Sequence, residues 1–180
     1  MFIKINKHSL YPTDVYITNF SLNFNLLINT LYKIKNQDKG NFISNIGGWQ
    51  SSKDIFVKKE LNTLKILIKD TCLQIYNKEP IYKQSDCWGN ISSYSHYNNM
   101  HDHARDPSPN KISGIYYLQV NDNSGNLKIH DNSYPQVYTK FNPQKGDLIF
   151  FQSSIFHSVE PNFSREDRIS IAFNIYLKSV

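Results

Sequence analysis

Cysteine is nearly absent. Cys72 and Cys87 are the only two in 180 residues, and neither belongs to a Cys-x-x-Cys pair. The paired-cysteine type of metal site is therefore not indicated, and two reduced, buried thiols are expected. Long apolar runs are absent too. The opening Met1-Phe2-Ile3-Lys4-Ile5-Asn6-Lys7 holds no apolar h-region, and no stretch reaches the roughly 18 apolar residues of a membrane span. The sequence thus carries no sign of a signal peptide or a spanning helix, and a soluble, cytoplasmic protein is expected. Basic residues are not clustered. The formal charge is +5, but the lysines are scattered with no run longer than Lys58-Lys59. A nucleic-acid groove needs basic residues gathered on one face among aromatics, so no nucleic-acid signature is read here. No internal repeat occurs.

What is present describes a globular chain. Hydrophobic residues make up 39% and charged residues 19%, and the length suits one domain, residues 1–180. The 12 Tyr and 11 Phe favour a β-rich core. Phe2 to Tyr16 reads as extended, broken at Pro12. Ser21 is the expected N-cap for a helix whose Phe24, Leu27, Ile28 and Leu31 form one apolar stripe. Ser44 to Ser51 reads as a turn-rich connector. A second helix is expected over 54–77, with Leu61, Leu64, Ile68 and Ile75 on its apolar face and Pro80 as its stop. After Pro80, short apolar or alternating runs recur between turn signals: Trp88 to Tyr97, Ile112 to Val120, Leu127 to His130, Val137 to Phe141, Asp147 to Phe151 and Arg168 to Leu177. That spacing implies an antiparallel sandwich or barrel. The layout is α+β, with a helical support region over 1–80 and a β core over 81–180.

The last run alternates cleanly. Ile169, Ile171, Phe173, Ile175 and Leu177 share one face, and Arg168, Ser170, Ala172, Asn174 and Tyr176 share the other. The apolar face needs the helices to cover it. The polar face suits either bulk water or a polar cavity.

Six histidines occur: His8, His96, His101, His103, His130 and His157. If His101-Asp102-His103 is extended, both imidazoles lie on one face and their nitrogens converge on one ion, with Asp102 turned away. A polar loop that happens to hold two histidines fits the same pattern. His157, beside Phe156 and near Val159, is either a core residue or a ligand. Arg168 follows eleven residues later, with Ser170 on the same face. An Arg fork suits a buried carboxylate, and a Ser two residues on adds a donor. Asn90 and Tyr94 share a strand face with Trp88, and Tyr117 shares one with Ser113. Each borders a pocket or simply packs. His8 and His130 read as surface or structural, and His96 is open to either reading.

His-x-His, about fifty-five residues, His, about ten residues, Arg-x-Ser resembles the 2-oxoglutarate- and Fe(II)-dependent oxygenases. More narrowly, the chain resembles a small family of such oxygenases common in bacteria and tailed phages. The matching pieces run in order: Ser44 to Ser51, His101 to His103, Ser113 to Leu118, Gly146 to Phe151, His157 to Asn162 and Arg168 to Asn174. The resemblance implies a double-stranded β-helix, a cupin-like jelly-roll barrel with the N-terminal helices packed on one sheet. It implies Fe(II), 2-oxoglutarate and O2, and hydroxylation of a substrate with release of succinate and CO2. A phage-encoded copy would act in the host cytoplasm. By match of position, His101 and His157 ligate the metal, and Arg168 with Ser170 binds the distal carboxylate of 2-oxoglutarate. His103 stands where the wider superfamily has a carboxylate, leaving a three-imidazole site more positive by one charge. Tyr117, Asn90 and Asn174 are further candidates for the cosubstrate. Two other readings stand beside this one: a three-His cupin-type dioxygenase without 2-oxoglutarate, and a non-catalytic jelly-roll binding module with structural histidines. The substrate is open among a peptide, a nucleobase and a small metabolite. The loop from Ala104 to Asn110 is expected to rim the entrance.

Overall fold

The computed structural model describes residues 3–10, 13–103 and 110–179. Two antiparallel sheets face each other. The larger has seven strands in the order β1-β2-β10-β7-β12-β5-β4, and the smaller has five in the order β3-β6-β11-β8-β9. The strands are β1 (Asn6–Leu10), β2 (Thr13–Asn19), β3 (Asn45–Ile46), β4 (Trp49–Gln50), β5 (Asp86–Ser92), β6 (Tyr97–His101), β7 (Lys111–Gln119), β8 (Leu127–His130), β9 (Tyr138–Phe141), β10 (Asp147–Gln152), β11 (His157–Val159) and β12 (Arg168–Tyr176). The helices are α1 (Phe24–Lys35) and α2 (Asn62–Tyr76). This is the double-stranded β-helix anticipated from the sequence, with the helices on the outer face of the larger sheet.

The period of two along β12 decides the layering. Ile169, Ile171, Phe173 and Ile175 turn outward into one core with Leu27 and Leu31 of α1 and Leu64, Leu67 and Ile68 of α2. Each such side chain contributes about 1.5–3 kcal/mol by leaving water. Helix α1 approaches β5 so closely that a Cβ on Gly89 would lie 2.4 Å from Leu31 Cδ2. A second core lies between the sheets, where Ile115, Leu127, Ile129, Ile149 and Phe151 meet. Cys72 and Cys87 are both buried and unpaired, as reduced thiols.

Several boundaries differ from the sequence reading. Asn23, not Ser21, caps α1, its Oδ1 accepting from Leu26 N at 3.0 Å. The stretch from Ile55 to Leu61 forms two single 3-10 turns, so α2 starts only at Asn62. It ends at Asn77, in the left-handed region at φ 53°, before Pro80 is reached. Trp88 to Tyr97 is not one strand: a turn carrying Ser95 at φ 64° separates β5 from β6. The N-terminal eighty residues supply β1 to β4 as well as helices, and Ser44 to Ser51 joins both sheets. Residues 104–109 of the expected entrance loop lie outside the described residues. Among the described residues, no helix is long and apolar enough to cross a membrane.

Candidate metal centre and cosubstrate pocket

The inner face of the larger sheet presents its side chains in rows, one every two residues, or about 7 Å. Arg168 and Ser92 form the first row. Gln50, Asn90, Ser170 and Tyr117 form the second, side by side on β4, β5, β12 and β7. Trp88, Ala172 and Ile115 form the third, and Asp86, Asn174, Ser113 and Phe151 the fourth. All these residues line one cavity of about 790 Å³ between the sheets. The polar face of β12 therefore lines a cavity rather than meeting bulk water.

The smaller sheet brings the histidines to the same cavity. His157 on β11 pairs directly with His101 at the end of β6. His103 is held by its backbone, whose N–H donates to Ser153 O at 2.8 Å. One ligand atom from each of His101, His103 and His157 lies within 4.8 Å of the others. Ring centroids are 4.2 Å apart for His101 and His157, and 5.1 Å for each pair with His103. Phe151 meets the His157 ring edge-on at 4.8 Å, and Trp88 meets His103 at 5.6 Å. The cluster thus faces the third and fourth rows, while Arg168 stands at the other end of the cavity.

Local backbone geometry prepares two of these rings. His101 Nδ1 donates to Asn99 O at 2.7 Å, and His157 Nδ1 donates to Ile155 O at 2.9 Å. A carbonyl can only accept, so Nδ1 carries the proton in both, and each Nε2 keeps its lone pair. Ser44 Oγ lies 3.3 Å from His101 Nε2 and accepts from Asn98 Nδ2 at 3.3 Å. Burial lowers the pKa of all three histidines; His103, further depressed by His101, Lys53 and Lys111, falls to about 3. Neutral imidazoles at neutral pH are what a divalent metal requires. Asp102 lines the cavity but is not part of the cluster, so the donor set is three nitrogens with no carboxylate.

Arg168 is 4% exposed and has no ion pair among the described residues. Its Nη1 donates to Ser124 O and, at 3.0 Å, to Glu160 O. Its Nη2 is buried without a hydrogen-bond partner among the described residues. A buried cation with one arm of its fork idle calls for an anion. The cradle behind it depends on Gly125 at φ +91°, where an added Cβ would lie 2.4 Å from Glu160 O and 2.7 Å from Arg168 Nη1. Glu160 secures the loop: its Oε2 accepts from Asn126 Nδ2 at 2.8 Å, and Lys140 lies 2.7 Å from its Oε1. Burial opposes the charge on Glu160, but Lys140, Asn126 and Lys128 outweigh it and hold the carboxyl at about 2. Asn162, fully buried, donates to Ser92 O at 2.8 Å and Glu166 O at 2.9 Å, tying the loop before β12 to β5.

The other sequence-predicted residues divide. Ser170, Tyr117 and Asn90 lie in the row beside Arg168. Asn174 lines the cavity six residues along β12, about 20 Å from Arg168 by backbone, and its Oδ1 accepts from Ser113 Oγ at 2.6 Å. It therefore lies at the end of the cavity that holds the three imidazoles. Tyr94 sits in the turn after β5, 63% exposed against Phe163, and does not line the cavity. His130 is structural, bonded through Nδ1 to Pro135 O at 2.6 Å and through Nε2 to Ser158 Oγ at 2.8 Å. Gly125, Glu160, Ser44 and Gln50 carry no role in the sequence reading. Ser44, Gln50 and Glu160 sit inside matching motifs, but their contacts are made only by the tertiary fold.

Comparison with known proteins points to the iron- and 2-oxoglutarate-dependent oxygenases. Residues 86–174 match the family model described as "Putative 2OG-Fe(II) oxygenase". Those residues build most of the barrel, and over them the chain is similar to that family. A prolyl-4-hydroxylase from Pseudomonas putida superposes with a TM-score of 0.70 at 16% identity, over 95% of this chain and 96% of that one. HygX from Streptomyces hygroscopicus, solved with nickel and 2-oxoglutarate, gives 0.66 at 8% identity over 90% and 82%. The viral collagen prolyl hydroxylase of Paramecium Bursaria Chlorella virus-1, solved as its 2-oxoglutarate complex, gives 0.59 at 17% over 92% and 96%. These likenesses show the shared fold. No curated protein matches the chain in sequence. By the family match over residues 86–174 the chain reads as a 2-oxoglutarate/Fe(II)-dependent oxygenase, and that family's cofactors are Fe(II), 2-oxoglutarate and O2.

Proposed function

We propose that the chain works as one oxygenase domain in which His101, His103 and His157 hold Fe(II), and Arg168 holds the distal carboxylate of 2-oxoglutarate. The observation that carries the reading is Arg168: a buried cation, free of ion pairs among the described residues and with its Nη2 unbonded among them, in the lining of the cavity that also holds the three imidazoles. When bound, the iron and keto acid supply oxidative decarboxylation and hydroxylation of a C–H bond. The chain's part is to position and to exclude water. Ser170 and Tyr117 add hydroxyl donors beside Arg168, and burial raises the Tyr117 pKa, keeping that hydroxyl protonated. Asn174 and Ser113 border the metal end. Trp88 and Phe151 wall the imidazoles with apolar rings, so that charge near the metal is poorly screened by water.

The test is succinate release. Fe(II)-loaded protein supplied with 2-oxoglutarate and O2 is expected to form succinate slowly without substrate, in step with 2-oxoglutarate consumed, and faster when a substrate pool is added. Protein that takes up Fe(II) yet releases no succinate under any pool would overturn the proposal.

A further inference from the structure

We propose that Gln50 and Asn90 together recognise a carboxamide group, of the peptide type, in the substrate. The proposal deepens the reading above and rests on it. Gln50 is 3% exposed, lines the cavity, and pairs across the strands with Asn90. The carboxamides of Gln50 and Asn90 make no hydrogen bond to any described residue. Neither carboxamide is sealed off, so both present donors and acceptors to the open cavity, where a ligand or water can meet them.

The cosubstrate cannot complete this pair. Ionised 2-oxoglutarate is acceptor-only, with no N–H or O–H to give. Arg168 Nη2, the Ser170 hydroxyl and the Tyr117 hydroxyl already supply donors at its end of the cavity. The two carboxamides bring donors and also two carbonyl acceptors, and those acceptors need a ligand that donates. A group holding N–H and C=O side by side satisfies both.

Position supports the same partner. Gln50 is on β4, the edge of the larger sheet farthest from Tyr117 in the row. The loop before β3 adjoins it, through Asn41 N donating to Gln50 O at 2.8 Å. That loop carries Phe42 and Ile43, 81% and 59% exposed, and both line the cavity. An apolar lip leading to paired carboxamides suits an uncharged amide-bearing chain entering from that side. Ser44, at 3.3 Å from His101 Nε2, lies where this entry reaches the imidazoles.

Blocked alanine, N-acetylalanine N-methylamide, is the probe, with the matching methyl ester as control. Both are titrated into Zn(II)-loaded protein saturated with 2-oxoglutarate, and the side-chain NH2 signals of Gln50 and Asn90 are followed by NMR. The amide is expected to shift both signals saturably, and the ester to bind about tenfold more weakly or worse. Gln50→Leu should weaken amide binding by about tenfold while 2-oxoglutarate affinity and melting temperature stay within twofold and a few degrees of wild type. Unmoved NH2 signals, equal binding of amide and ester, or unchanged amide affinity in Gln50→Leu would each overturn the proposal. Saturation by adenosine in place of the amide would overturn it in favour of a nucleobase. Failure of 2-oxoglutarate itself to bind would instead strike the parent reading, and the titration records that separately.

Discussion

Arg168→Ala is expected to abolish 2-oxoglutarate turnover while Fe(II) uptake persists. Removing one partner of a buried, hydrogen-bonded charge pair costs about 3–5 kcal/mol, which is about two to three and a half orders of magnitude in affinity. Arg168 lies on the row farthest from the imidazoles, so the imidazoles keep their own supports: Asn99 O and Ile155 O for two of the rings. A control keto acid separates anchoring from general damage. Pyruvate has the same keto-carboxylate head without the distal carboxylate, and its weak binding should be equal in wild type and variant. The variant also strands Ser124 O and Glu160 O, so a stability loss of about 1–3 kcal/mol is expected in the melt. Gly125→Ala tests the same anchor from behind. With φ at +91° and Arg168 Nη1 2.7 Å from the added Cβ, it should weaken 2-oxoglutarate by about tenfold and leave pyruvate unaffected. Equal loss of both keto acids in either variant would show that the cavity as a whole had failed, not the anchor.

His157→Ala is expected to have the largest effect on metal binding. His157 is 4% exposed, touches both other imidazoles, and is held by Phe151 and the Ile155 carbonyl. Losing even an outer-shell partner of a ligand costs about 10–100-fold in affinity, so losing this ligand should exceed that. Fe(II) uptake at equimolar concentration should disappear. His103→Ala should cost less, because the His103 ring, packed edge-on against Trp88, makes no hydrogen bond to a described residue, whereas the other two rings are held by backbone carbonyls. Equilibrium dialysis against Fe(II) under anaerobic conditions ranks the variants. His157→Ala protein that still binds one equivalent would remove His157 from the metal site.

Much of the site is legible in residue order. The alternation of Arg168, Ser170, Ala172 and Asn174 against Ile169, Ile171, Phe173 and Ile175 defines both faces of β12, because a strand's period is fixed by its backbone. Which polar face meets water depends on the second sheet, and no local pattern encodes that. His101 and His157 stand out through spacing and their neighbours, although β11, at three residues, is too short to read as a strand. Helix limits are ambiguous where two residues compete for one position. Asn23 and Ser21 are both good caps, and only Asn23 reaches Leu26 N. Asn174 groups with Arg168 by sequence because they share a face, but six residues of strand keep them at opposite ends of the cavity. Gly125 and Gln50 are silent in the sequence because their roles exist only across strands. Gly125 matters because Glu160 and Arg168 crowd it, and Gln50 because Asn90 stands beside it.

The most direct test of the account is an anaerobic titration of Fe(II)-loaded protein with 2-oxoglutarate, followed by visible absorption. A charge-transfer band that saturates at one equivalent per iron in wild type, and needs far higher 2-oxoglutarate in Arg168→Ala, is the predicted result. Protein that holds its iron through the three histidines yet develops no band at any 2-oxoglutarate concentration would contradict it.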